Sequence, residues 1–235
     1  LVKNGDSVVA TIRNPKHMAQ MVKLGAATVI LDLDKSTGPD FQTQFRGADA
    51  IVFAAGSGTG ESSSLDRTGT VKTVRAAESA GVNRYVTISS IGASTGLKLT
   101  GAWATEEMRD YYNQKRAANK HLRQSDLDWT ILEPAELTDG KLSGKVTLSE
   151  AALDGKPISR ADVAAVDVSV LGLPRTIGQT WLYCPWNCMM PSGQVYCESE
   201  LSTISGKRKL FQLVTNANTP TVAMIGRLSG SVTYQ

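Results

Sequence analysis

The sequence predicts an α/β protein with a doubly wound parallel sheet, because short apolar runs alternate with segments of helical periodicity. Most of these runs are continuously apolar and rich in β-branched residues, which is typical of parallel strands covered on both faces. With 235 residues, the chain is long enough to bury a large core.

The elements follow one another in a regular order. The predicted strands are residues 7–13, 27–33, 50–56, 84–90 and 129–135. The first helix begins at Asn14, with Pro15 in its first turn, and ends at Gly25. Further helices are predicted over residues 65–80 and 109–124. A last helix begins at Ser159, with Asp162 three residues later as in a capping box.

The composition excludes several classes of protein. Apolar residues make up 41% of the chain, charged residues 20%, and the net charge is only +3, which argues against a disordered chain and against a nucleic-acid partner. No run approaches the roughly 18 apolar residues of a membrane helix, and the opening segment, which begins with Leu1, does not resemble a signal peptide. We therefore expect a cytoplasmic protein that acts on a small molecule; the sequence does not predict the oligomeric state.

The cysteines are few and clustered. Cys184, Cys188 and Cys197 form an odd set that does not fit a secreted disulfide framework, so reduced thiols are expected. They also lack the paired spacing of a four-ligand zinc site, and no metal site is predicted.

Ligands of doubly wound sheets bind beyond the carboxyl ends of the strands. Arg13 follows the first strand and could hold a ribose 2′-phosphate, or it could be a solvated side chain. Asp32 ends the next strand and could accept a hydrogen bond from an adenine amino group, or it could serve a turn. Ala54, Ala55 and Gly56 would let a flat ligand approach the backbone closely, and residues 57–60 form a glycine-rich loop that could cover phosphates.

Ser90, Tyr111 and Lys115 form the constellation with the clearest chemistry. Tyr111 and Lys115 are four residues apart on a predicted helix and so face the same way. A nearby ammonium favours the phenolate, and a tyrosine tuned in this way can exchange a proton with a carbonyl or a hydroxyl. Tyr112 is a competing tyrosine, and an ordinary amphipathic helix with a half-buried tyrosine would show the same spacing.

An ordered series of short motifs over residues 1–182 resembles the atypical short-chain dehydrogenases/reductases, in particular their NAD(P)-binding, NmrA-like branch. The motifs are VVATIRNP, ILDLD, ADAIVFAAGSG, LDRTGT, AAESAGVNRYVTISSIGAS, YYNQKRAANKHLRQSDLDWTILEPAELTDG, KVTLSE and ISRADVAA.

The resemblance implies a Rossmann-type fold and a dinucleotide, usually NADP, with NAD possible. Tyr111 would be the proton donor, Lys115 would hold the nicotinamide ribose, and Ser90 would stand at the nicotinamide end. The implied cofactor-binding residues are Arg13, Asp32, Leu33, Ala54, Ala55, Gly56, Ser89, Lys115, Pro134 and Ala135. Residues 137–140 and 159–162 would shape the substrate side and the final helix.

Three features depart from the family pattern. The family usually has arginine before Pro134, whereas this chain has Glu133, a reversal of charge near the presumed pocket. Residues 183–235 no longer resemble the family, so a domain boundary is predicted after residue 182. The family's first strand and glycine-rich phosphate loop are not found before Leu1, which would leave the two neighbours of a central strand unpaired.

A later segment could replace that strand. Residues 221–225 (TVAMI), followed by a glycine turn, would do so as in a circular permutation; otherwise residues 183–235 are an irregular extension or a sequence unrelated to the domain.

Three functions remain open from the sequence. The first is an NAD(P)H-dependent oxidoreductase acting on a small carbonyl, quinone or flavin-like acceptor. The second is an NAD(P)-sensing regulator without chemistry, against which the presence of both Tyr111 and Lys115 counts. The third is a degenerate fragment that binds no cofactor tightly.

Overall fold

The computed structural model describes residues 1–56, 64–96, 99–101, 104–149, 156–185, 210–214 and 225–226. The helices are α1 (Met18–Lys23), α2 (Gly38–Phe45), α3 (Ser64–Ala80), α4 (Glu106–Arg123) and α5 (Arg160–Leu171). The strands are β1 (Ser7–Ile12), β2 (Ala27–Ile30), β3 (Ala50–Phe53), β4 (Arg84–Ile88), β5 (Asp128–Pro134), β6 (Leu137–Thr138), β7 (Val146–Ser149), β8 (Ile158–Ser159), β9 (Gln179–Pro185), β10 (Leu210–Val214) and β11 (Ile225–Gly226).

These elements form an α/β fold with mostly parallel strands, which confirms the predicted class. The chain divides into two compact units. The first contains Leu1–Tyr85, Ser125–Asp128 and Ser205–Gln235, and the second contains Val86–Gln124 and Trp129–Ile204.

In the first unit, β10 lies between β1 and β3 and pairs with both in parallel. Leu210 is opposite Ser7 on β1, and Phe211 is opposite Ala50 on β3. The neighbours that the sequence analysis expected to be unpaired are paired, because β10 supplies the hydrogen-bonding groups that a parallel ladder requires. Strand β10 lies in the part of the chain that does not resemble the family.

Only one residue of the predicted substitute, residues 221–225, lies in the described part of the chain. Of that segment, Ile225 lies in β11, which pairs antiparallel with both β10 and β3, while residues 221–224 lie outside the described residues. Both segments are short and mostly apolar, so local pattern alone could not choose between them. The boundary expected after residue 182 stays a prediction.

The core of the first unit forms around β1, β3 and the helices α2 and α3. Ala10, Ile12 and Ile51 are almost completely buried. On α3, Thr73 shares a hydrogen bond of 2.8 Å with the hydroxyl of Tyr85, whose ring stacks on Phe53. This packing fixes the end of β3, where the small residues Ala54, Ala55 and Gly56 follow.

Helix α2 is an element that the sequence analysis missed. Thr37 and Asp40 form a capping box at its start: the Thr37 amide donates to Asp40 Oδ2 at 2.7 Å, and the Asp40 amide donates to Thr37 Oγ1 at 3.4 Å. Pro39 occupies the first turn, and Phe41 and Phe45 are completely buried. Thr-x-x-Asp with proline was therefore an available signal for this helix.

In the second unit the strand order is β4-β5-β9-β7. Strand β9 is parallel to β5 and antiparallel to β7. Helix α5 begins as predicted, with Ser159 Oγ accepting from the Asp162 amide at 3.0 Å. The buried Cys184 on β9 is disulfide-bonded, so the expectation of reduced thiols is wrong for this residue; spacing along a chain does not reveal which sulfurs reach bonding distance.

Candidate functional site

Arg13 follows β1 directly in the first unit. Its side chain is half-buried, and the next residue, Asn14, caps the following turn by accepting from the Lys16 amide at 3.0 Å. This cap fixes the chain direction after β1. The role of Arg13 in binding a 2′-phosphate stays a prediction.

Asp32 and Leu33 lie in a tightly bonded turn after β2. Asp32 Oδ1 accepts from the Asp34 amide at 2.9 Å, which is the turn function that the sequence left open. The ammonium of Lys72 donates to the carbonyl oxygens of Leu33 and Ser36, so α3 holds this turn in place. Leu33 is 3% exposed. The protein's own hydrogen bonds therefore hold this turn in place.

The residues after β3 are small, as the prediction for a flat ligand requires. Ala55 is buried, while Ala54 and Gly56 are half-buried. The glycine-rich segment 57–60 that was predicted to cover phosphates lies outside the described residues.

In the second unit, the carboxyl ends of β4 and β5 are joined by two backbone hydrogen bonds. The Ser89 amide donates to the Leu132 carbonyl at 2.7 Å, and the Ile91 amide donates to the Pro134 carbonyl at 2.9 Å. Ser89 is 7% exposed, and its hydroxyl has no hydrogen-bond partner among the described residues. A buried hydroxyl of this kind at a strand end is suited to a ligand.

Pro134 and Ala135 are both buried at the end of β5. The Ala135 amide donates to the carbonyl of Tyr183 at 3.1 Å, which joins this segment to β9. The assignment of these two residues to the nicotinamide pocket stays a prediction.

Helix α4 brings Tyr112, rather than Tyr111, to Ser90. Ser90 Oγ donates to Tyr112 Oη at 3.5 Å, and Tyr112 is 9% exposed. Tyr111 packs edge-to-face on Tyr112, with 5.4 Å between ring centroids. The Nζ atom of the buried Lys115 lies 5.7 Å from the centroid of the Tyr111 ring. The three predicted residues thus share one region with a fourth, Tyr112, which the sequence had raised as a competitor.

Burial raises the pKa of Tyr112 above its ordinary value of 10.0, and the hydrogen bond from Ser90 partly offsets this. The charges of Tyr111 and Glu133 add to the increase. Tyr112 is therefore a neutral phenol at physiological pH and can donate a proton.

Glu133, the residue that departs from the family pattern, is completely buried. Its Oε2 accepts from the Gly92 amide at 3.1 Å, and its Oε1 accepts from the Ser94 amide at 2.9 Å and from Asn119 Nδ2 at 3.1 Å. Burial raises the pKa of this carboxyl, while the bonds to Ser94 and Gly92 and the charge of Arg123 counteract the increase. The carboxylate joins β5 to the turn after β4 and to α4.

A second carboxylate, Asp162, holds the segment after β6. Its Oδ1 accepts from the amides of Ser143 and Gly144, each at 2.9 Å. Strands β6 and β8 pair in parallel, with Leu137 opposite Ile158. The two segments that the resemblance assigns to the substrate side, residues 137–140 and 159–162, therefore contact each other.

Asp167 and Tyr183 are buried polar residues that the sequence analysis missed. Burial raises the pKa of Asp167 to about 8. Burial also raises the pKa of Tyr183, and the charge of Asp167 adds to this. Asp167 Oδ1 and Tyr183 Oη have no hydrogen-bond partner among the described residues. Helical and strand periodicity place both positions inside, but they do not reveal that a carboxyl would be left so poorly solvated.

No helix within the described part of the chain is long and apolar enough to cross a bilayer. The same residues contain no group of three or more His, Cys, Asp or Glu side chains that could hold a metal ion.

A mostly parallel sheet with helices between its strands defines a Rossmann-like α/β protein. The chain matches the NAD(P)H-binding family over residues 1–174 and belongs to it.

Relatives are found in bacteria and in yeast. The uncharacterized sugar epimerase YhfK of Bacillus subtilis is 32% identical over 169 residues, covering 70% of this chain and 76% of the relative. The UPF0659 protein YMR090W of Saccharomyces cerevisiae is 31% identical over 157 residues, covering 63% of this chain and 67% of the relative.

Solved structures share the fold. A protein of Bacillus halodurans, named as a candidate NAD-dependent epimerase/dehydratase, is 31% identical with a TM-score of 0.68, over 78% of this chain and 84% of that chain. ChuY, an anaerobilin reductase of Escherichia coli O157:H7, has a TM-score of 0.68 over 81% of this chain and 90% of that chain. At 21% identity, the second likeness shows the fold alone.

Proposed function

We propose that the protein is an NAD(P)H-dependent reductase of a small carbonyl, quinone or flavin-like acceptor. The observation that carries this proposal is the approach of Ser90 to the neutral, buried hydroxyl of Tyr112, with Lys115 one turn further along α4. Two hydroxyl groups that face each other can hold one substrate oxygen between them, and one of them can protonate it.

The residues present fit a dinucleotide. In the first unit we assign Arg13, Asp32, Leu33, Ala54, Ala55 and Gly56 to the adenosine half, with Arg13 selecting NADP through the 2′-phosphate. In the second unit we assign Ser89, Lys115, Pro134 and Ala135 to the nicotinamide half, where the unpartnered Ser89 hydroxyl offers a hydrogen bond. When bound, the cofactor supplies the hydride.

The protein's own side chains handle the substrate oxygen and the proton. Ser90 orients the oxygen, and Tyr112 donates the proton as negative charge develops there. Tyr111 keeps the role that the resemblance implies as the alternative donor, with Lys115 against its ring face. Tyr112 is preferred because it is the tyrosine that contacts Ser90.

The decisive experiment compares Tyr112→Phe and Tyr111→Phe with the parent in NADPH oxidation, using a panel of quinones and carbonyls. Loss of the proton donor slows carbonyl reduction by roughly 100-fold or more. We expect this loss in Tyr112→Phe and a small change in Tyr111→Phe. The reverse result would restore Tyr111 as the donor, and an unchanged rate in both would remove tyrosine from the chemistry.

Two controls separate this function from others. Titration of the intrinsic tryptophan fluorescence with NADPH measures binding, and no binding at millimolar cofactor would reject the reductase. An epimerase, as two of the similar proteins are named, would convert its substrate without net consumption of NADPH.

A further inference from the structure

Glu133 lies outside the group that would touch substrate, yet it contacts both elements that carry that group. The turn that begins at Ser90 reaches it through the amides of Gly92 and Ser94. Helix α4 reaches it through Asn119, which follows Tyr112 by seven residues and therefore shares its face of the helix. Glu133 therefore anchors both the turn that carries Ser90 and the helix that carries Tyr112.

The anchor is well built for a carboxylate. Each oxygen of Glu133 accepts at least one N–H bond, and a buried carboxylate is tolerated only when it is hydrogen-bonded or paired in this way. Ser94 extends the network, because its hydroxyl accepts from Asn119 and from Arg123, which also donates to Thr180 on β9 at 2.9 Å.

Glu133 also acts on Tyr112 electrostatically. Its negative charge disfavours the phenolate and so helps to keep Tyr112 protonated. Among the described residues, Arg123 and Tyr111 of α4 also act on the pKa values of Glu133 and Tyr112, respectively. Lys115 of the same helix lies over the Tyr111 ring. The contacts from the turn after β4, Gly92 and Ser94, are uncharged.

We propose that Glu133 is a positioning residue of the active site: its carboxylate fixes the Ser90 turn against the Tyr112 face of α4. This inference rests on the proposed reductase function. It also explains why the chain has a carboxylate where the resembling family usually has arginine, since a cation could not accept these three N–H bonds.

The test uses Glu133→Gln in the full chain, with Glu136→Gln as its matched control. Glu136 is exposed and lies three residues after Glu133. The Glu136→Gln substitution therefore removes the same charge without removing buried hydrogen bonds. The first readout is amide hydrogen exchange by NMR. We expect Gly92 and Ser94 to exchange about tenfold faster in Glu133→Gln, because an amide side chain cannot accept both bonds, and to be unchanged in Glu136→Gln.

The second readout is the titration of Tyr112, followed by NMR of labelled tyrosine and assigned with Tyr112→Phe. We expect the pKa of Tyr112 to fall in Glu133→Gln. Exposure of the ring would lower this pKa as well, so unchanged chemical shifts of the Tyr112 ring protons are required to assign the fall to the lost charge. The third readout is turnover, in which misplacement of the Ser90 turn lowers kcat by roughly 100-fold and leaves the KM for NADPH unchanged.

These readouts separate the two proposals. Slow exchange at Gly92 and Ser94 together with an unaltered Tyr112 titration in Glu133→Gln would overturn the positioning role, whether or not the parent reduces any acceptor. A parent without reductase activity but with both NMR changes would overturn the reductase and leave the anchor established. If Glu133→Gln does not fold, Asn119→Ala removes the bonds from α4 to Glu133 and to the Ser94 hydroxyl and leaves the two amide bonds of Glu133 in place. An unchanged Tyr112 resonance in that variant would overturn the inference.

Discussion

Ser90 donates a hydrogen bond of 3.5 Å to the hydroxyl of Tyr112. This bond lowers the pKa of Tyr112, whereas burial, the larger effect, raises it. Ser90→Ala should therefore raise the pKa of Tyr112 further, which a spectroscopic titration of tyrosine can measure. It should also slow reduction by roughly 100-fold, since one of two donors to the substrate oxygen is lost. Thr95→Ala, on the exposed part of the same turn, is the control, and equal rates in both variants would contradict the prediction.

The buried carboxyl of Asp167 should make stability depend on pH. Because its pKa is raised from 3.8 to about 8, the unfolded chain releases this proton at lower pH than the folded protein does. Between these values the parent should lose about 1.4 kcal/mol of unfolding free energy per pH unit relative to Asp167→Asn. Denaturant unfolding of both proteins at several pH values measures this difference. Below pH 3.8 the difference should no longer change with pH. A difference independent of pH would show that Asp167 is ionised in the folded protein.

The contribution of Asp162 to the free energy of unfolding should depend on pH in the opposite sense. Burial alone would raise its pKa, but the bonds from Ser159, Gly144 and Ser143 together hold the pKa below 3.8. Its contribution to stability is therefore present above 3.8 and is lost as the pH falls through the folded value. Asp162→Asn should reduce the free energy of unfolding at neutral pH by about 1–3 kcal/mol. The same denaturant series tests this, and a loss that persists in acid would indicate a packing defect.

The pairing of β10 predicts the effect of a proline. Leu213 is opposite Ala10 on β1 and Val52 on β3, and proline there removes an N–H from the ladder. Leu213→Pro should lower the free energy of unfolding by roughly 1–3 kcal/mol or more, measured by thermal or denaturant unfolding. Leu213→Val, which keeps the N–H and favours a strand, should cost much less. Equal stability of the two variants would mean that β10 does not contribute to the sheet in solution.

The elements with strong local signals were predictable. Each predicted strand up to residue 135 is present, although most end two or three residues earlier than expected, because the apolar pattern continues into the turns that follow. Helix α4 begins at Glu106 rather than at residue 109, since Thr105 caps it by accepting from the Met108 amide. Caps of this kind are readable from sequence.

Contacts between distant parts of the chain could not be predicted from the sequence. The position of Leu210–Val214 depends on which apolar segment fits between two existing strands, and neither composition nor periodicity contains that information. The choice between Tyr111 and Tyr112 similarly depends on the rotation of α4 about its axis, which Glu133 and Asn119 help to set. The sequence identified Glu133 only as a charge reversal and could not show the amides that it binds.

The parallel pairing of Ser7 with Leu210 also has a kinetic consequence. The first unit pairs strands that lie far apart in the sequence, and such non-local pairing raises the contact order and should slow folding. During synthesis, β1 and β3 emerge from the ribosome long before β10. Until β10 is made, the edges that it will pair with are unpaired and can bind strands of other chains. The yield of active protein in a cell should therefore depend on chaperones that shield those edges until residue 214 has been made.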